Sequence, residues 1–258
     1  MAQLQRLTIA PSQITGQQIQ LTAQQRHYLH NVLRLGEGDR FIAIDGLGNG
    51  WLAGLNENAS VAEMLEPVFA KTELPISVTL LIALPKSGMD DIVRQATELG
   101  VERILPIISD RTVLKPSPQK GDRWQRIAQE AAEQCERQII PQVFPPISWA
   151  EALQTWNPDS ATCYLCHARG EYPHLLSCLQ TKIDSSIPHP KSETQSSIVL
   201  AIGSEGGWTD AEVEKAIAAG YQPVSLGSRI LRAVTAPLVA LSLIGAAYDA
   251  MNSREHLS

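Results

Sequence analysis

The sequence has few aromatic residues, only four cysteines and no long apolar run. Aromatic residues make up 5% of the 258 residues and charged residues 19%, whereas 44% are hydrophobic. This balance supports a packed core built mainly from aliphatic side chains, and it excludes an intrinsically disordered chain. Because no apolar run could cross a bilayer and the first residues lack a signal-peptide pattern, we expect a cytoplasmic protein without a membrane partner.

An excess of positive charge is also absent. The formal net charge is −6 at pH 7, which argues against a protein that binds polyanions over its whole surface, since nucleic-acid-binding domains are often basic. A local cluster of basic residues can still contact phosphates while the remaining surface stays acidic. The charge therefore leaves a localised RNA site open.

The cysteines indicate neither a disulfide framework nor a metal site. In a cytoplasmic protein we expect the thiols of Cys135, Cys163, Cys166 and Cys178 to stay reduced. The segment Cys163–His167 has the C-x-x-C-H form of c-type haem attachment, but that reading requires export. Residues 161–166 instead predict a buried strand. A zinc site would need a second ligand pair, and we expect none.

Residues 1–72 have the pattern of a small β-barrel. Short apolar stretches alternate with turn signals such as Asp45-Gly46-Leu47-Gly48-Asn49-Gly50. The segments 40–44 and 51–55 flank that loop and predict a hairpin, and a helix fits residues 24–33.

The pattern changes near Glu73, and residues 73–258 predict an α/β domain with a largely parallel sheet. The continuous apolar run 77–84 is typical of a strand buried on both faces. Ser87 with Asp90 resembles a helix cap, and 181–197 resembles an exposed loop. We predict helices at 89–99, 122–134, 149–156, 209–219 and 236–251, and further strands at 103–108, 161–166, 198–202 and 223–225.

Three loops follow predicted strand ends, where ligands of parallel sheets bind. The first is 84–88. In the second, 202–208, three glycines surround Glu205 and let backbone N–H groups approach a ligand, although a tight turn with an exposed glutamate is an equal alternative. In the third, 226–232, Arg229 and Arg232 could clamp a phosphate or a carbonyl group, or form a solvated pair.

A basic and aromatic segment lies in the N-terminal region. Residues 26–34 hold two histidines, two arginines and a tyrosine, which suit contacts with phosphates and bases. An ordinary amphipathic turn with solvated polar side chains remains the alternative.

Five strings in fixed order resemble the RsmE family of the SPOUT methyltransferases. They are 27–35 with Gly38-Asp39; Leu84-Pro85-Lys86 with 96–101; Arg123-Trp124 with 130–134; 202–207; and 226–232. The resemblance implies a PUA-like, RNA-binding β-barrel at 1–72 and a SPOUT domain with a trefoil knot at 73–258. It also implies a homodimer that uses S-adenosyl-L-methionine (SAM) to methylate N3 of a uridine in 16S ribosomal RNA, within the small ribosomal subunit.

The resemblance also assigns roles to individual residues. It places SAM against Ile202, Gly203, Glu205, Gly207, Leu226, Gly227, Ile230 and Leu231. Our own hypothesis for the chemistry is that Arg229 or Arg232 stabilises the uracil carbonyls, while Glu205 or water accepts the proton. RNA contacts would come from His27, His30, Arg34 and Lys86.

The chain departs from the family pattern at three places. Ser204 replaces a proline, Val234 replaces a glutamate, and 135–138 replaces a stretch richer in Gly, Arg and Asn. The missing carboxylate at Val234 makes Glu205 the better acid–base candidate. Two alternatives stay open: a SPOUT enzyme that modifies another RNA position or tRNA, and a non-catalytic RNA-binding protein.

Overall fold

The computed structural model describes residues 4–56, 60–113, 119–156, 161–185 and 197–255. Two compact units divide the chain. The first contains residues 1–73 together with 129–140, and the second contains 74–128 and 141–258. None of the described helices is both long and apolar enough to span a bilayer.

The first unit contains a six-stranded sheet, a 3-10 turn at Pro11–Gln13 and a helical segment at 23–32, and residues 129–134 add the end of a longer helix. Its strands are β1 (Arg6–Thr8), β2 (Ile14–Thr15), β3 (Gln18–Gln20), β4 (Arg40–Ile44), β5 (Gly50–Leu55) and β6 (Val61–Pro67), in the order β1-β4-β5-β6-β3-β2. Only β1 and β4 pair in parallel. The predicted hairpin is confirmed as β4–β5. The predicted helix is confirmed as α1 (Ala23–His27), which continues into a π-helical turn at Tyr28–Val32.

A buried ion pair ties residues 136–140 into this unit. The guanidinium of Arg137 is only 2% exposed, and its Nη2 lies 2.8 Å from Glu73 Oε2. The other carboxylate oxygen, Oε1, accepts hydrogen bonds from the backbone N–H groups of Gln138 (2.9 Å) and Ile139 (3.0 Å). Glu73 therefore neutralises a buried charge and satisfies two backbone donors at once.

The second unit is a parallel α/β sheet, as predicted. Its strands are β7 (Ser77–Ala83), β8 (Arg103–Ile108), β9 (Gln142–Val143), β10 (Ile147–Ser148), β11 (Thr162–Cys166), β12 (Ser197–Ile202) and β13 (Gln222–Val224). They follow the order β10-β8-β7-β12-β11-β13, with β9 paired to β8, and every pairing is parallel. Its helices are α2 (Met89–Glu98), α3 (Gln119–Gln134, which ends in the first unit), α4 (Trp149–Thr155), α5 (Leu175–Ser185), α6 (Asp210–Ala218) and α7 (Ala236–Glu255).

Helices α4 and α6 pack against one face of the sheet. Alternate residues such as Leu81 and Ala83 pack with buried residues of α4 and α6, including Trp149 and Val213. Helix α7 contacts α2 and α5. Every residue of β7 is buried, so the prediction from its uninterrupted apolar run is confirmed.

Two local predictions are wrong and a third is confirmed. Helix α2 is capped by Gly88 in the left-handed region (φ +86°) without a side-chain hydrogen bond, so the predicted Ser87 cap is wrong. The predicted exposed loop at 181–197 is wrong at both ends, because α5 extends to Ser185 and β12 begins at Ser197, while 186–196 lie outside the described residues. At α6 the predicted capping box of Thr209 and Glu212 is confirmed.

Candidate active site

A cleft in the second unit opens at the carboxyl ends of β11, β12 and β13. Because these strands are parallel, the loops that follow them meet at one edge of the sheet. The cleft is lined by residues from three such loops and the start of α7, and by one residue from the loop after β8: Cys166, His167, Ala168, Arg169, Ile202, Gly203, Ser204, Glu205, Gly206, Gly207, Trp208, Leu226, Gly227, Arg229, Ile230, Leu231, Ala233, Ala236 and Arg111. The two glycine-bearing loops of the sequence analysis therefore share one cavity.

The structure brings most of the predicted site residues together. Ile202, Gly203, Glu205, Gly207, Leu226, Gly227, Arg229, Ile230 and Leu231 all line the cleft. Arg232 follows in the same loop with an exposed side chain, but it is not among the described lining residues. Lys86 is exposed in the loop after β7, and its backbone N–H donates to Glu205 Oε1 at 2.9 Å. His27, His30 and Arg34 lie in the first unit, where all three are exposed.

The turn after β12 requires glycine at two positions. A Cβ atom on Gly203 would lie 3.3 Å from the backbone Cα and C of Gly207, which is too close for an ordinary contact. Gly207 itself has φ +70°, and its N–H donates to the Ser204 carbonyl at 2.8 Å. Glycine therefore gives a tight turn whose backbone lies directly against the cavity.

The lining combines apolar side chains with polar atoms that can contact a ligand. Ile230 is 76% exposed although it is a large aliphatic residue. The Ser204 hydroxyl is buried and has no hydrogen-bond partner among the described residues. Such a mixture of apolar surface, backbone groups and a few polar atoms fits a nucleoside with a charged or polar tail.

The loop after β13 also contains a glycine with a positive φ angle, which residues with a side chain rarely adopt. Gly227 has φ +107°, and its N–H donates to Ser225 Oγ at 3.0 Å. Val234, where the family pattern has a glutamate, lies against the loop after β7: a Cβ on Gly88 would meet Val234 Cγ1 at 2.6 Å. Val234 thus fills space in this chain.

Sequence reasoning missed the contributions of Arg111 and of residues 166–169. Both segments follow parallel strands, β8 and β11, so the rule that selected the other three loops could also have selected them. The C-x-x-C-H pattern of residues 163–167 indicates haem attachment or a buried strand, and it carries no local signal of a ligand-binding loop.

The cysteines of β11 belong to the core of the sheet, and the predicted buried strand is confirmed. Cys163 and Cys166 are both buried and stand three residues apart, so they point to opposite faces of the strand. Burial raises the pKa of Cys163 to about 11 and raises that of Cys166 further. Both thiols are therefore weak nucleophiles.

His167 forms part of the cleft wall and stacks on Tyr172, with ring centroids 5.6 Å apart. Burial lowers the pKa of His167, and the nearby charge of Asp210 partly opposes this shift. Because the ordinary pKa of histidine is about 6.5, the imidazole is neutral at pH 7.

His167→Gln is expected to flatten the decrease in unfolding free energy that accompanies acidification below about pH 6.5. The pKa of His167 is lower in the folded state than in the unfolded chain, so the unfolded chain binds a proton at a higher pH. Stability is therefore lost as the pH falls from about 6.5 through the lowered pKa of the folded state. Urea unfolding of both proteins at several pH values between 5 and 7.5 measures the difference. Identical pH dependence in the variant and the wild type would contradict this assignment.

Comparisons with known proteins agree with the fold. A family model described as an RNA methyltransferase domain matches residues 72–245, and one described as an RNA methyltransferase PUA domain matches residues 21–57. Among solved structures, the ribosomal RNA small subunit methyltransferase E of Neisseria gonorrhoeae, bound to S-adenosyl methionine, superposes with a TM-score of 0.79 at 29% identity. This match covers 95% of the present chain and 98% of that chain.

Two curated relatives carry the same name. The protein from Synechocystis sp. is 49% identical over 243 residues, which cover 93% of this chain and 77% of the relative. The protein from Bacillus subtilis is 33% identical over 246 residues, which cover 90% and 93%. With a family model over most of its length and relatives this similar, the chain belongs to the RNA methyltransferase family whose curated members are named ribosomal RNA small subunit methyltransferase E.

Proposed function

We propose that this chain is a SAM-dependent methyltransferase that modifies N3 of a specific uridine in 16S ribosomal RNA. The observation that carries the proposal is the single cleft formed by the loops 202–208 and 226–232. Support also comes from the solved structure of the Neisseria gonorrhoeae relative, which contains S-adenosyl methionine.

The residues of the cleft suit SAM as the ligand. Gly203, Gly207 and Gly227 allow the backbone to approach a ligand closely, while Ile202, Leu226, Ile230 and Leu231 supply apolar surface for the adenosine part. When bound, SAM provides an activated methyl group. The buried Ser204 hydroxyl and the backbone groups of both loops are the polar partners available to it.

The uracil base must lose its N3 proton and must be accessible to the enzyme before it can be methylated. Uracil N3 carries a proton and lies on the pairing edge, so the base must be unpaired or flipped into the site. Arg229 or Arg232 stabilises the negative charge that spreads onto O2 and O4, and Glu205 or a water molecule accepts the proton. Holding the two reactants in place can supply about 7–11 kcal/mol of the barrier.

The N-terminal region, residues 1–72, serves as the RNA-binding domain, and residues 73–258 carry the methyltransferase chemistry. Arg26, His27, His30 and Arg34 are exposed together on α1 and the turns that follow it, where they can contact phosphates. Lys86, exposed in the loop that contacts Glu205, adds a cation beside the cleft.

Arg34→Asn is expected to weaken RNA binding a few-fold and to reduce the slope of log affinity against log salt by about one. Arg34 has φ +58°, a region that asparagine adopts more readily than arginine, so the substitution removes a cation without disturbing the turn. Binding of a labelled fragment of 16S RNA over a salt series measures both changes. Arg40→Asn, which removes an exposed cation from β4, is the control; an equal loss there would mean that only net charge matters.

We further propose that the enzyme is a cytoplasmic homodimer that acts within the small ribosomal subunit, and that its catalytic domain contains the trefoil knot of the SPOUT fold. The dimer, the subunit context and the knot follow from the family resemblance, and the cytoplasmic location follows from the sequence pattern. Light scattering of the purified protein tests the dimer.

Incubation of the protein with labelled SAM and small ribosomal subunits, followed by nucleoside analysis, tests the proposed function. We expect label in 3-methyluridine from 16S RNA. Label in another nucleoside or in tRNA would support the alternative SPOUT activity. No transfer, together with no saturable heat from SAM in calorimetry, would indicate a non-catalytic RNA-binding protein.

A further inference from the structure

Arg111, in the loop after β8, reaches the glycine turn of the cleft. Its Nη1 donates to the carbonyl oxygen of Gly206 and, at 3.3 Å, to that of Trp208. The stem of the same side chain packs on Gly206, where an added Cβ would lie 3.0 Å from Arg111 Cδ. One side chain therefore holds two carbonyl groups of the turn, those of Gly206 and Trp208.

The peptide groups that Arg111 holds are also fixed at their other ends. The N–H of the Gly206–Gly207 peptide donates to the Ser204 carbonyl at 2.8 Å. The N–H of the Trp208–Thr209 peptide donates to a carboxylate oxygen of Glu212 at 2.8 Å. Since a peptide group is planar, bonds at its oxygen and its nitrogen together set its orientation.

The loop that carries Arg111 is itself anchored to the start of α6. The backbone N–H of Asp110 donates to Glu212 Oε1 at 2.9 Å, and Thr209 Oγ1 donates to Asp110 Oδ2 at 3.2 Å. Glu212 is only 2% exposed, so its hydrogen bond with the Asp110 N–H is largely shielded from water. The hydrogen bonds of the neighbouring Asp110 therefore hold the backbone at Arg111 in place.

We propose that Arg111 is a positioning residue that holds the glycine turn in the conformation that binds the cofactor. This inference rests on the proposed function, in which the turn binds SAM. Without the guanidinium, each of the two peptide groups keeps only the hydrogen bond of its N–H group. The turn is then more mobile in the free protein, and binding of the cofactor has to order it. That ordering lowers cofactor affinity while the domain remains folded.

Arg111→Met keeps the packing on Gly206 and removes the donors. We expect the SAM dissociation constant of this variant to rise about tenfold, as for loss of a hydrogen bond from a charged donor. Arg111→Lys, which retains a charged donor, should recover part of that loss. In steady-state assays KM for SAM should rise in Arg111→Met, while kcat at saturating SAM changes little.

Calorimetry with SAM, paired with thermal unfolding of the ligand-free proteins, tests whether Arg111 affects cofactor affinity or only the stability of the fold. Arg94→Met is the matched control, because Arg94 is exposed on α2 and pairs with Asp91, so its SAM affinity should equal that of the wild type. A wild-type dissociation constant in Arg111→Met would overturn the inference alone, and so would a loss confined to the melting temperature. Absence of saturable SAM binding by the wild type would instead overturn the proposed function, and this inference with it.

Discussion

Replacing Arg232 with alanine is expected to slow single-turnover methyl transfer about a hundredfold and to leave the affinity for SAM unchanged. A guanidinium presents several donors in a fixed geometry, so it can stabilise charge on a uracil carbonyl as the N3 proton leaves. Arg232 is exposed beside the cleft and is not among the described residues that line it, which makes it available to the base and not to the cofactor. Rapid-quench measurements with enzyme in excess, together with calorimetry, test both parts.

The neighbouring arginine provides an internal comparison. Arg229 lines the cleft, and one of its terminal nitrogens would lie 3.8 Å from a Cβ on Gly227. We therefore expect Arg229→Ala to weaken SAM binding as well as catalysis. If the rate of methyl transfer were unchanged in Arg232→Ala and reduced only in Arg229→Ala, the carbonyl-stabilising role would belong to Arg229.

Replacing Glu73 with alanine is expected to destabilise the first unit by about 3–5 kcal/mol, because removal of one partner leaves the other charge buried and unbalanced. The Arg137 side chain is only 2% exposed, so its charge remains poorly solvated when the carboxylate is removed. The backbone N–H groups of Gln138 and Ile139 would lose their acceptor too. Hydrogen exchange of the buried strands β4 and β5 measures the local loss of stability.

A surface glutamate gives the control for this change. Glu66→Ala on β6 removes the same charge from an exposed position, and we expect an effect within about 0.5 kcal/mol. Equal protection of β4 and β5 in Glu73→Ala and the wild type would contradict the importance of the buried pair.

The secondary structure of the second unit was predictable where one physical signal dominated. The uninterrupted apolar run of β7 and the capping box of Thr209 and Glu212 each specify one local structure. The sequence pattern did not predict helix α5. Its C-terminal part contains the exposed Thr181 and the partly buried Lys182, which are polar and therefore resemble loop residues, whereas its buried contacts come from Leu175 and Leu179. The cap of α2 was misassigned because a left-handed glycine performs a role that the pattern gave to Ser87.

The candidate site was predictable in its loops but not in its supporting contacts. Glycine content and strand-end position selected 202–208 and 226–232, since both properties are local to the sequence. The bonds of Arg111 to Gly206 and of Lys86 to Glu205 join residues that are distant in the chain. Only the order of strands in the sheet brings such residues together, and that order cannot be read from local patterns.

The first unit takes its residues from two stretches of the chain, and this has a consequence for synthesis on the ribosome. The backbone N–H of Thr8 donates to Glu133 at 2.9 Å, and Glu73 binds Arg137, so the N-terminal unit lacks these partners until residue 140 has been translated. At a rate of about 5–20 residues per second the delay lasts seconds. The strands of the N-terminal sheet are therefore synthesised several seconds before the segment that completes their contacts.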